Sequence, residues 1–158
     1  LGLNVIGISR HGRPVSGVDG VLTPNNLDSV LPAADFVVLA VPLTTETRNL
    51  FDLRRQALTK PGAGIVNIGR AATMDYQALV GNLQSGHFSG AILDVFDEEP
   101  LPEGCSLWHT PNLIVTPHIS ADDGNTYVEM TLDLVFGNLE RHLRGEPLNN
   151  VVDPELGY

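Results

Sequence analysis

The chain has 158 residues, 42% of them hydrophobic, and a formal net charge of −10 at pH 7. This length and composition predict one domain with a hydrophobic core, whereas the acidic balance argues against a nucleic-acid partner. No apolar run reaches membrane-spanning length, and the single cysteine, Cys105, fits a reducing cytoplasm. We therefore expect a cytoplasmic globular protein that binds neither nucleic acid nor membrane.

The first half of the chain alternates apolar runs with polar loops. Pro42 stops one of these runs, which predicts a buried central strand before it. Asn25 or Asn26 is placed to cap a short helical turn, and a further short helix is predicted over residues 44–53. The predicted strands of this half are residues 4–8, 21–22, 36–41 and 64–68.

The second half contains the stretch with the most chemical content. Asp75 is predicted to cap a helix over residues 76–85, which Gly86 ends. Residues 91–96 have the composition of a strand buried on both faces, and Asp94 interrupts that run. A carboxylate inside a buried strand requires hydrogen-bonding partners or a ligand. The remaining predicted elements are a strand at residues 113–116 and a long helix at 122–143.

Strands that alternate with helices and are almost wholly apolar predict a doubly wound parallel α/β sheet, similar to a Rossmann fold. Three of the predicted strands are followed by chemically versatile side chains, namely Arg70, Glu99 and His118. Each alone has an ordinary explanation as a loop residue. Together at the ligand-binding edge of one sheet, they predict a functional site. No metal site is predicted, because the other histidines lack metal-ligand spacing; these are His11, His87, His109 and His142.

Several segments then carry a family resemblance. Residues 67–70 read Asn-Ile-Gly-Arg, residues 93–102 read Leu-Asp-Val-Phe-Asp-Glu-Glu-Pro-Leu-Pro, and residues 116–119 read Thr-Pro-His-Ile. With the loop at residues 41–47, these segments resemble the D-isomer-specific 2-hydroxyacid dehydrogenases over nearly the whole chain. The ending at residues 144–158 is similar to the glyoxylate and hydroxypyruvate reductase branch.

The resemblance implies an oxidoreductase that transfers a hydride between NAD(P)H and a small 2-keto or 2-hydroxy acid, such as glyoxylate or hydroxypyruvate. His118 would donate the proton, with Glu99 favouring and orienting the imidazolium, and Arg70 would bind the substrate carboxylate and carbonyl. The family also implies a homodimer. Its cofactor-binding residues correspond here to Val41, Pro42, Thr47, Ile68, Gly69, Asp94 and His118, with Asp94 receiving the nicotinamide carboxamide.

The loop after the first predicted strand favours NADP(H) over NAD(H). A dehydrogenase that prefers NAD usually places an acidic residue here for the ribose hydroxyls, and none is present in the polar loop at residues 9–14. Ser9, Arg10 and Arg13 instead offer a hydroxyl and two guanidinium groups suited to a 2′-phosphate. Two solvated arginines are the plainer alternative.

The sequence also departs from the family pattern. No Gly-x-Gly-x-x-Gly leads into a helix, and Gly62-Ala63-Gly64 leads into a strand instead. Because the chain begins with Leu1 rather than Met, we expect truncation at the N terminus, with loss of the first strand, the glycine-rich turn and the first helix. Residues 1–120 would then form a partial dinucleotide-binding domain, and residues 121–158 a long helix and tail leading toward a substrate domain.

Two other functions stay open, since a fold does not fix an activity. One is a dinucleotide-sensing regulatory protein similar to transcriptional corepressors, and the other is a fragment that is inactive on its own. The last predicted helix carries two apolar stripes, more than packing on one sheet requires. We therefore expect the isolated chain to self-associate or to fray beyond about Tyr127, and to bind dinucleotide poorly. The stripes are Val128, Leu132, Val135, Leu139 and Leu143, and Tyr127, Met130 and Leu134.

Overall fold

The computed structural model describes residues 2–154 and shows an α/β fold. It opens with two short strands, β1 (Ile6–Ile8) and β2 (Gly20–Leu22), which pair in parallel with Gly7 opposite Val21. Both strands occur where the apolar runs predict them. The predicted tail beyond residue 154 lies outside the described residues.

Four further strands form a second parallel sheet. They are β3 (Phe36–Leu39), β4 (Gly64–Asn67), β5 (Gly90–Leu93) and β6 (Leu113–Val115), and they pair in that order. Parallel neighbours require crossover connections, and the longer ones here contain helices. The predicted Rossmann-like parallel sheet flanked by helices is confirmed.

The boundaries of the main crossover helix follow its sequence signals. Asp75 caps this helix by accepting the N–H of Ala78 at 3.0 Å, and Gly86 adopts a φ of +74° just beyond its end, as predicted. In contrast, Asn26 occupies the cap position of the first helix without a side-chain capping bond. The helices are α1 (Leu27–Val30), α2 (Leu53–Leu58), α3 (Tyr76–Gln84) and α4 (Tyr127–Leu143).

The hydrophobic core lies on one face of the four-stranded sheet. Ile65 and Leu93 point into it from the strands and Leu79 from α3, each at most 1% exposed. Successive residues of a strand alternate between faces. On the other face, within residues 2–154, Phe36 is 68% exposed and Ile114 58%. The helices α2 and α3 thus cover the face that holds the core.

The prediction of a helix over residues 44–53 is wrong. Thr47 Oγ1 accepts the N–H of Thr44 at 2.7 Å and donates to the carbonyl of Pro42 at 2.6 Å. Such side-chain bonds offer the backbone an alternative to helical pairing. The segment therefore forms turns, and α2 begins only at Leu53.

Two strand predictions also need correction. β3 lies at an edge of its sheet rather than in the centre. β5 ends at Leu93, so Asp94 is the first residue after the strand and not a residue within it. Asp94 is nevertheless only 1% exposed, so its requirement for partners remains.

Candidate active site at the carboxyl edge of the sheet

The carboxyl ends of β4, β5 and β6 lie side by side. Asn67 is in register with Leu93, and Leu93 with Val115. Neighbouring strands are about 4.8 Å apart, so the segments that follow these residues leave the sheet at the same level. Those segments contain Arg70, Glu99 and His118.

Glu99 and His118 form a hydrogen-bonded pair. His118 Nδ1 lies 2.8 Å from Glu99 Oε2, and the N–H of Phe96 donates to Glu99 Oε1 at 2.8 Å. The bond with His118, followed by that from Phe96, holds the pKa of the Glu99 carboxyl below its ordinary value. Glu99 is thus an ionised acceptor and Nδ1 carries a proton, which leaves Nε2 of His118 for other partners. The side chains of His118 and Glu99 are 44% and 38% exposed, so a ligand can reach them.

The carboxylate of Asp94 anchors the segment that carries His118. Its Oδ1 accepts the hydroxyl of Thr116 at 2.6 Å and the N–H of Ile119 at 2.9 Å, while Oδ2 accepts the N–H of Ser120 at 2.9 Å. Burial opposes ionisation, but the hydrogen bonds from Thr116, Ser120 and Ile119 outweigh it and hold the pKa of Asp94 at about 2. Between these anchored residues, His118 adopts a φ of +56°, in the left-handed region.

Arg70 follows β4 on a tight turn. A Cβ added at Gly69 would lie 2.8 Å from the carbonyl oxygen of Val41, so this close approach requires glycine. The turn is fixed further by Asn67, whose Oδ1 accepts the N–H of Gly69 at 3.1 Å. Arg70 is exposed, and its Nη1 donates to the carbonyl of Gly69 at 2.8 Å. A guanidinium has five N–H donors, so this bond uses only one of them.

The predicted cofactor-binding residues near the sheet fall at the ends of β3 and β4. Val41 lies against Gly69, and Thr47 closes the same loop through its bond to Pro42. Ile68 directly follows β4 and is 40% exposed. The structure therefore brings these residues together on the edge that also carries Arg70.

The predicted phosphate-binding residues lie in the loop after β1. Ser9, Arg10 and Arg13 are exposed there. Nη2 of Arg10 is 3.7 Å from Oε2 of Glu46, which links this loop to the one that follows β3. A hydroxyl with two guanidinium groups is a donor set that fits a phosphate.

Sequence reasoning missed two groups that position the site. The amide of Phe96 holds Glu99, and the hydroxyl of Tyr76 donates to the carbonyl of Val95 at 2.6 Å. No side-chain pattern marks a backbone donor, and a tyrosine that opens a helix is usually a packing residue. Among residues 2–154, no group of three or more His, Cys, Asp or Glu side chains is placed to hold a metal ion. No helix in this part of the chain is long and apolar enough to cross a membrane.

The carboxyl edge of this Rossmann-like parallel sheet carries an arginine and a histidine–glutamate pair. These features define the class of protein as the dinucleotide-binding domain of a dehydrogenase. The sequence model described as D-isomer specific 2-hydroxyacid dehydrogenase, NAD binding domain, matches residues 1–120. The chain belongs to this family, so the predicted resemblance is confirmed.

Curated relatives are similar to this chain over part of their own length. Glyoxylate/hydroxypyruvate reductase B from Citrobacter koseri is 41% identical over 83% of this chain and 40% of the relative. An uncharacterised protein from Corynebacterium melassecola is 35% identical over 99% of this chain and 51% of the relative. The chain thus spans about half the length, or less, of the curated relatives it matches.

Solved structures are similar throughout the chain. A D-isomer specific 2-hydroxyacid dehydrogenase from Xanthobacter autotrophicus, in complex with NADPH and MES, is 37% identical with a TM-score of 0.90. The match covers 99% of this chain and 64% of that one. An NADPH-dependent glyoxylate/hydroxypyruvate reductase from Sinorhizobium meliloti, in complex with NADP and sulfate, is 34% identical with a TM-score of 0.91, covering 99% and 50%.

Proposed function

We propose that this chain, within a protein of its relatives' full length, reduces a small 2-keto acid such as glyoxylate or hydroxypyruvate with NADPH. The observation that carries the proposal is the 2.8 Å contact between Glu99 Oε2 and His118 Nδ1 at the sheet edge that also bears Arg70. A protonated imidazole, a fixed carboxylate and a guanidinium are the groups that this reduction requires.

His118 supplies the proton in this mechanism. Hydride addition to the keto carbon leaves negative charge on the carbonyl oxygen, which must be protonated. Because Nδ1 is bonded to Glu99, Nε2 is the nitrogen that donates to the substrate. Glu99 compensates the charge of the imidazolium, and the Phe96 N–H keeps its carboxylate in place.

Arg70 binds the substrate in this mechanism. Its planar guanidinium presents paired N–H donors that match the carboxylate and the carbonyl oxygen of a 2-keto acid. The tight Gly69 turn fixes the backbone from which the side chain extends. The same donors favour the negative charge that develops on the carbonyl oxygen during reduction.

The donor set of this edge also fits a nicotinamide cofactor. We assign Ser9, Arg10 and Arg13 to the 2′-phosphate of NADP(H), and assign Val41, Pro42, Thr47, Ile68, Gly69, Asp94 and His118 to the nicotinamide side. When bound, the reduced cofactor supplies the hydride. NADP(H) is favoured over NAD(H) because two guanidinium groups and no carboxylate lie in residues 9–14, directly after β1.

The remaining parts of the proposal concern organisation. Residues 1–120 form the dinucleotide-binding part, and residues 121–158 lead toward a domain that completes the substrate site. The full-length protein is a cytoplasmic homodimer.

Turnover by the full-length protein tests this proposal. NADPH oxidation should depend on glyoxylate or hydroxypyruvate, whereas glycolaldehyde, which lacks the carboxylate that Arg70 would bind, should be a poor substrate. NADPH binding without turnover of either acid would favour the regulatory alternative. Equal rates with the acids and glycolaldehyde would contradict the role of Arg70.

A further inference from the structure

Tyr76 makes two hydrogen bonds through one hydroxyl. Its Oη donates to the carbonyl of Val95 at 2.6 Å and accepts from Nδ2 of Asn67 at 3.3 Å. Burial, above all, raises the pKa of the Tyr76 hydroxyl, and the carboxylates of Asp97 and Glu99 add to that effect. The hydroxyl therefore stays protonated and acts as a donor.

Through Asn67, the Tyr76 hydroxyl is linked to the turn that carries Arg70. Asn67 is fully buried, and besides its bond to Tyr76 its Nδ2 donates to the carbonyl of Arg70 at 3.3 Å. Its Oδ1 accepts the N–H of Gly69. Asn67 thus holds two peptide groups of the turn, and Tyr76 bonds to Asn67.

Through the carbonyl of Val95, the Tyr76 hydroxyl is also linked to the peptide group that holds the His118–Glu99 pair. The carbonyl of Val95 and the N–H of Phe96 belong to the same peptide group. That N–H donates to Glu99 Oε1 at 2.8 Å, and Glu99 Oε2 pairs with His118. A donor on the carbonyl of a peptide strengthens its N–H as a donor. One chain of hydrogen bonds therefore runs from Asn67 through Tyr76 and this peptide to Glu99.

We propose that Tyr76 is a positioning residue that fixes the Val95–Phe96 peptide, and through it the Glu99–His118 pair, in register with the Arg70 turn. The reaction it serves is the reduction proposed above, on which this inference rests. Tyr76 itself lies in α3 and acts only through the groups that it holds. A hydroxyl with a purely structural role would stabilise α3 without affecting Glu99.

Replacing Tyr76→Phe in the full-length protein removes only the hydroxyl. We expect kcat/KM to fall roughly 3- to 10-fold, the size of one lost hydrogen bond. We also expect the pKa of Glu99, followed by carbon NMR of its carboxyl group, to rise toward its ordinary value. The neighbouring charges of His118 and Asp94 are unchanged by the substitution. Tyr127→Phe, which removes an exposed hydroxyl from α4, is the matched control and should change neither quantity.

A second replacement keeps the hydroxyl and should shift the pKa of Glu99 in the opposite direction. Incorporating 3-fluorotyrosine at Tyr76 retains the hydroxyl but makes it more acidic and hence a stronger donor, so the pKa of Glu99 should fall below that of the parent protein. A lower melting temperature with unchanged Glu99 titration in both replacements would overturn the proposal.

The Glu99 titration needs no substrate, so the two proposals can fail separately. If replacing Tyr76 shifts the pKa of Glu99 but the protein reduces neither acid, the role of Tyr76 would be supported and the proposed function contradicted. If the protein reduces the acids but the pKa of Glu99 is the same with and without the Tyr76 hydroxyl, the proposed function would be supported and the role of Tyr76 contradicted.

Discussion

The carboxylate of Asp94 accepts the backbone N–H of Ile119, the residue after His118, at 2.9 Å. The end of β5 therefore sets the position of the segment that follows β6. A buried acid can in this way control where the histidine lies. The same contact makes the stability of the edge depend on the charge of Asp94.

Asp94→Asn should destabilise the fold by about 1–3 kcal/mol, because an asparagine offers one acceptor oxygen instead of two. The N–H of Ile119, the N–H of Ser120 or the hydroxyl of Thr116 then loses its acceptor. The folded pKa of about 2 lies below the ordinary 3.8, so this stabilisation is present above that ordinary value and lost as pH falls toward 2. Urea unfolding at several pH values measures both effects. Asp97→Asn, in an exposed acid of the same loop, is the control. Equal losses in the two variants would contradict the anchoring role.

His118→Asn should lower turnover of the full-length protein roughly 10²- to 10⁴-fold, because the proton donor is lost. NADPH affinity should change little. His142→Asn, in an exposed histidine on α4, is the matched control and should leave turnover unchanged. A His118 variant as fast as the parent would rule out the proposed proton transfer.

Glu99→Gln should move the alkaline limb of the reduction rate to lower pH. Without the carboxylate, the positive charge that His118 carries as the proton donor is no longer compensated at Nδ1. In the parent, the pKa of Glu99 is held low by His118 and the Phe96 amide, so Glu99 stays ionised until pH falls through that lowered value. Rate profiles across pH for parent and variant give the comparison, and superimposable alkaline limbs would contradict the coupling.

Local signals in the sequence were sufficient for several elements. The cap at Asp75 and the stop at Gly86 depend on one side chain and one φ angle, both of which the sequence specifies. The apolar runs located both β4 and β5, although β4 ends at Asn67 rather than at residue 68 and β5 ends at Leu93 rather than at residue 96. Parallel pairing then placed Arg70 and its neighbours at one edge without any knowledge of distances.

Other features depend on tertiary contacts that periodicity does not encode. The turns after Pro42 form because the Thr47 hydroxyl bonds to the carbonyl of Pro42 and the N–H of Thr44, which no hydrophobic pattern reports. The role of Tyr76 depends on a distance of 2.6 Å to Val95, a residue of a different element. Both errors concern polar side chains that satisfy backbone groups, the contacts least visible in a sequence.

Arg10→Asp in the full-length protein should lower the preference for NADPH over NADH roughly 10- to 100-fold, the size of a lost charge-assisted hydrogen bond. The new carboxylate would repel a 2′-phosphate and could accept the ribose hydroxyls of NADH instead. Steady-state kinetics with both cofactors measure the ratio. Arg144→Asp, which replaces an exposed arginine paired with Glu140, is the matched control. An unchanged ratio for Arg10→Asp would remove this residue from the cofactor site.

Helix α4 predicts the behaviour of the isolated 158-residue chain. None of its residues is buried, and Val128, Met130 and Leu143 are 65%, 68% and 77% exposed. Apolar surface of this extent favours association. The chain should also bind NADPH weakly, because its sequence has no glycine-rich turn leading into a helix.

Sedimentation of the isolated chain, combined with NADPH titration, tests both expectations. Leu132→Ser with Val135→Ser removes apolar surface from the centre of the first stripe and should shift the chain toward monomer. Glu129→Ser with Asp133→Ser changes polar positions of the same helix and should leave association unchanged or stronger, because it removes like charges. If the unaltered chain sediments as a monomer and binds NADPH at micromolar concentration, both expectations are wrong. If the two double variants associate equally, the association arises elsewhere, and the exposed face of the sheet around Phe36 becomes the surface to alter.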